Sequence, residues 1–101
     1  MLRCKGIEPD GGERSEFRIA EEDSPAPTEA LERVARVAEV LLRENGLPGR
    51  FAVAGPGVLT LELPESERTF FHNGIVFAAL DAVNDPLKSP TLNLRATEEG
   101  G

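Results

Sequence analysis

The chain has 101 residues, 40% hydrophobic and 29% charged, with 11 Lys and Arg against 18 Asp and Glu and a net charge of −7. That length suits one domain around one core, and no stretch approaches the ~18 uninterrupted apolar residues of a membrane span. The acidic balance, basic residues expected to be scattered rather than clustered along one face, the lack of Trp and Tyr, and five Phe set mostly in apolar patterns exclude nucleic acid and anionic membranes as expected partners.

In chain order, residues 2–8 and 16–22 both alternate, with Leu2 and Cys4 on one face of the first segment and Phe17 and Ile19 on one face of the second. The turn-rich Pro9–Glu13 between them predicts an antiparallel hairpin. Glu21 through Pro27 combines acids with two prolines and reads as a connector that neither strand nor helix can use.

From Thr28 the period changes. Leu31, Val34, Ala35, Ala38, Leu41 and Leu42 fall on one helical face, with Glu29, Glu32, Arg33, Arg36, Glu39 and Arg43 opposite. Thr28 is the expected cap, Asn45-Gly46 the expected stop, and Glu29–Arg33, Glu32–Arg36 and Glu39–Arg43 have the favoured i,i+4 order.

Phe51–Ala54 and Val58–Leu63, joined by Gly55-Pro56-Gly57, predict a second hairpin. A second helix is predicted over 69–84, where residues 74–83 offer water only Asp81 and a glycine, so burial on more than one side is expected. After Pro86, Thr91–Ala96 returns to alternation and predicts a last strand, and residues 97–101 read as a frayed tail. The expected fold class is α+β: an antiparallel sheet with two helices, as a ferredoxin-like βαββαβ sandwich with one extra N-terminal strand, in a single domain over 1–101.

Cys4 is the only cysteine, which excludes an internal disulfide, and Met1–Gly6 has no apolar signal region. A cytoplasmic protein is expected. No cofactor and no metal is predicted: one Cys with one His makes no zinc site, and Glu8, Asp10 and Glu13 read as an acid-decorated turn rather than a cation site. No glycine loop has phosphate-cradling spacing, and no Ser-His-Asp arrangement suggests a triad.

One local pattern carries possible chemistry, Phe71-His72-Asn73-Gly74 followed by an apolar run to Asp81. It resembles the central-helix segment of hotdog-fold acyl-CoA thioesterases, in which a His-Gly-Gly step opens a buried helix that bears a catalytic acid. The resemblance implies that Gly74 donates a backbone N–H to the thioester carbonyl, with Asn73 beside it, that Asp81 is base or nucleophile, and that His72 lies nearby. Orphan N–H groups at a helix start favour an oxyanion, and an apolar setting raises a carboxylate pKa. Without the resemblance, His72 satisfies a local backbone group and Asp81 faces solvent or pairs with Arg68 or Lys88.

Two functions of different class follow. The first is a small non-catalytic protein-interaction or regulatory module that self-associates through its second helix or its sheet, or docks a protein partner, with Ile75, Val76, Ala79 and Val83 at the interface. The second is an acyl-CoA thioesterase or acyl-binding domain using His72, Asn73, Gly74 and Asp81.

Overall fold

Two hairpins and two helices make up the computed structural model, which describes residues 1–8, 14–64 and 70–85. β1 (Leu2–Glu8) and β2 (Arg14–Glu21) pair antiparallel, with Cys4 opposite Ile19 and a register shift between Cys4 and Gly6. The period-2 pattern puts Leu2, Phe17 and Ile19 inside while Arg3 and Arg18 stay wet.

The Glu21–Pro27 connector differs from its expected form. Ser24–Pro25 folds back as a two-residue strand, β3, on the end of β2. Two features permit it: Glu22 takes the left-handed turn conformation at φ 57°, and the backbone bond that closes the turn comes from Ala26 N–H to Ile19 O at 3.0 Å, beyond the proline that has no N–H to give.

α1 (Thr28–Glu44) buries all six of its predicted apolar residues. Thr28 is its first helical residue rather than its cap; Pro27 holds that place without a side-chain bond. The stop is built as expected. Gly46 sits at φ 66°, Leu47 N–H donates to Leu42 O at 2.9 Å and Gly46 N–H to Arg43 O at 3.2 Å, the pair of bonds of a Schellman cap.

β4 (Arg50–Gly55) and β5 (Val58–Glu62) form the second hairpin around Pro56-Gly57, and β5 then pairs antiparallel with β2. α2 spans Phe70–Asn84. One apolar cluster joins Leu2, Phe17, Ile19, Phe51, Leu59 and Leu61 of the sheet to both helices, so the helices share one face of the sheet, and among the described residues no element covers the other face.

The fold is therefore α+β with an antiparallel sheet, but the strand order is β1-β2-β5-β4 and not the ferredoxin-like one. β5 does lie between β2 and β4, as a split βαβ unit around α1 requires. The place beside β2 that the closing strand would take is held by β1, because a short-range hairpin partner reaches that edge with far less chain to order. The predicted strand Thr91–Ala96 lies outside the described residues, as do Arg68, Lys88, Asp10 and Glu13.

Candidate functional site

α2 carries every residue singled out for chemistry, and its phase decides what they can do. His72 is 2% exposed, and its Nε2 lies 2.8 Å from Pro48 O. A carbonyl oxygen only accepts, so Nε2 carries the proton and donates. The ring thus ties the first turn of α2 to the connection between α1 and β4.

Asp81 follows nine residues later. Nine residues are about two and a half helical turns, so His72 and Asp81 point in opposite directions. Asp81 is exposed. Gly74 shares the exposed side, with open space around the position of a Cβ, and as the fifth residue of α2 its N–H is committed within the helix rather than orphaned. Asn73 is half-buried between the two sides. The four residues of the thioesterase-like pattern do not converge on one pocket.

The expected interface residues are also placed differently. Ile75, Val76 and Ala79 are 5%, 0% and 0% exposed, inside the chain's own core against α1, and Val83 is half-buried beside them. What α2 offers to solvent is the other half of its circumference: Phe71 at 73%, Phe77 at 50%, Gly74 and Asp81. The helix is apolar all round in composition, yet among the described residues it is buried on one side only.

The open face of the sheet corrects a second expectation. Basic residues that are scattered in sequence gather there, because Arg3, Lys5, Arg14, Arg18 and Arg50 occupy outward positions of β1, β2 and β4. Glu8 Oε2 accepts from Arg18 at 2.7 Å, and Glu62 lies 3.8 Å from Arg14. Beneath them Thr60 donates its hydroxyl to Ala52 O at 3.1 Å.

Among the described residues no other cluster adds a reactive group. Cys4 is half-buried, and burial pushes its thiol above the ordinary value, only partly offset by the 3.6 Å contact to Gly6 O, so the nucleophilic thiolate is disfavoured. Among the described residues no group of three or more His, Cys, Asp or Glu is placed to hold a metal, and no helix is long and apolar enough to cross a membrane.

Phe71 and Phe77 are not among the site residues expected from the sequence. The available signal was angular: at 100° per residue, Phe71, Gly74, Phe77 and Asp81 fall within one 120° sector that also holds the helix's only charge. No known protein family, curated protein or solved structure matches this chain.

Proposed function

We propose that this domain is a small non-catalytic protein-interaction module whose recognition surface is the outer face of α2. The observation that carries the reading is the exposure of Phe71 and Phe77, 73% and 50%, on one side of a helix whose opposite side is fully committed to the core. Two large aromatic side chains held in water within one sector of a helix are an interface composition rather than a surface one. Burying both rings against a partner removes enough apolar area from water to matter, on the order of 1.5–3 kcal/mol for each ring fully covered.

The partner is a protein surface, a second copy of the chain or a different protein, in keeping with a domain that lacks a convergent set of reactive groups around α2. A Phe71→Ser, Phe77→Ser double variant tests this. Phe71 lies mostly in solvent and Phe77 half in it, so the variant keeps its melting temperature within a few degrees of wild type while losing the protein that co-purifies in stoichiometric amount from the source cell. Equal recovery of that protein with the variant contradicts the proposal.

A thioesterase function asks that Asp81 and His72 act on one substrate. Incubation with acyl-CoA thioesters of several chain lengths is expected to give no hydrolysis above buffer, and any turnover that Asp81→Asn abolishes restores the enzymatic reading.

A further inference from the structure

A second surface, independent of the α2 face, is built on α1. Glu32, Arg36, Glu39 and Arg43 form a single stripe along the helix, spaced by 4, 3 and 4 residues. These steps bring each residue back to within a fraction of a turn of the last, so the four lie in line. Glu32, Arg36 and Glu39 line a groove of about 440 Å³ between α1 and β4, with Ala35 and Phe51 at its apolar side, and Arg43 extends the stripe one turn further.

The i,i+4 order of Glu32–Arg36 and Glu39–Arg43 favours pairing within the helix. In the structure neither pair closes: the ion pairs among the described residues are elsewhere, and Glu39 instead accepts the outward N–H of Phe51 through Oε2 at 3.1 Å. Glu32, Arg36 and Arg43 are exposed without a salt-bridge partner.

The charge order along the stripe is −, +, −, + and its spacing is the same read from either end. A stripe with both properties is complementary to itself when two copies run antiparallel. Glu32 then faces Arg43 and Arg36 faces Glu39 across a two-fold axis, each contact occurring twice. The stripe sums to zero on a chain whose net charge is −7, so it is a place where two copies meet without bringing like charge together. We propose that a second copy of this chain docks along this groove, α1 against α1 in antiparallel two-fold fashion, and that the stripe sets its register.

The test uses the two outer residues, which are exposed and touch nothing the fold needs. Wild type, Glu32→Arg, Arg43→Glu and the double swap are compared by sedimentation equilibrium at low salt, with circular dichroism as the control for folding. Wild type is expected to dimerise at tens of micromolar. Each single variant places like charges opposite each other at two symmetric contacts and weakens the dimer about tenfold, and the double swap, self-complementary again, returns to within about threefold of wild type. A wild type that stays monomeric at those concentrations, or folded single variants that dimerise as well as wild type, or a double swap no better than the singles, overturns the proposal. Phe77→Ser separates this surface from the α2 face: the dimer survives it here, whereas a dimer lost in Phe77→Ser and kept in the charge variants assigns self-association to α2 and refutes the α1 stripe.

Discussion

The side chain of Asn84 pairs with the backbone of Leu2 as a neighbouring strand would. Leu2 N–H donates to Asn84 Oδ1 at 2.7 Å, and Asn84 Nδ2 donates to Leu2 O at 2.9 Å. The last residue of α2 thereby closes both groups of Leu2 that face away from β2, on the side of β1 that no described strand pairs with, joining positions 82 residues apart. Glu39 does half of this for Phe51 at the opposite edge. Side chains that occupy edge groups blunt edge-to-edge pairing.

Asn84→Ala leaves the part-buried N–H and C=O of Leu2 unpaired and is expected to cost about 1–3 kcal/mol, read from denaturant unfolding. Asn84→Asp keeps the acceptor for Leu2 N–H but sets a carboxylate oxygen against Leu2 O and a negative charge at the C-terminus of α2, so it too is expected to lose stability. A change within about 0.5 kcal/mol for Asn84→Ala contradicts a role in fixing α2 to β1.

Gly57 is the tightest point of the second hairpin. It adopts φ 74°, its N–H donates to Ala26 O at 2.9 Å and its carbonyl accepts from Ile19 N–H at 2.7 Å. A Cβ there would lie 2.8 Å from Pro25 Cβ and 3.2 Å from Ile19 O. Gly57→Ala therefore combines an unfavourable left-handed backbone with a clash against the β2–β3 turn, and a loss of at least about 1 kcal/mol is expected by thermal or chemical denaturation.

Ala79 and Phe77 separate core from surface on one helix. Ala79 is 0% exposed, so Ala79→Glu buries a charge without a partner and is expected to abolish the cooperative unfolding transition. Phe77→Ser is expected to leave the melting temperature within a few degrees of wild type, because the ring is half in water already. Similar stability losses in the two variants contradict the assigned orientation of α2.

Cys4 gives the fold an alkaline dependence. Its thiol pKa is raised in the folded chain by burial above the ordinary 9.0, so folding favours the neutral form. That contribution is complete below the unfolded value and is lost as pH rises through the raised one. Between neutral pH and about pH 10.5, wild type is expected to lose more stability than Cys4→Ala does. Parallel losses in the two proteins contradict the shift.

The parts legible in the sequence were those governed by one local rule. The alternation of Phe17 with Arg18, the 3.6-residue period from Leu31 to Leu42, and Asn45-Gly46 as a stop each depend on neighbours within a few positions, and each folds as expected. Strand order was not legible in that way, because either β1 or a later strand satisfies the edge of β2 by pattern alone, and nothing in the alternation ranks them. The turn at Glu22 was hidden because glutamate carries no left-handed preference, and Asn84 because an amide at a helix end gives no sign of a partner 82 residues away. Asp81 faces solvent, as one of its two readings has it, and its nine-residue separation from His72 sets the two on opposite sides of α2, an angle that residue types in a motif do not carry by themselves.

The function proposed for this domain requires that another protein cover the outer face of α2. Site-directed photo-crosslinking in the source cell tests it most directly, with a benzophenone analogue of phenylalanine in place of Phe77 and, as a control, in place of the exposed Glu21 of β2. One discrete adduct is expected from position 77, identified by mass as a second copy or a different protein, lost when Phe71→Ser is added and absent from position 21. No adduct from position 77, or a diffuse set that position 21 gives equally, contradicts it.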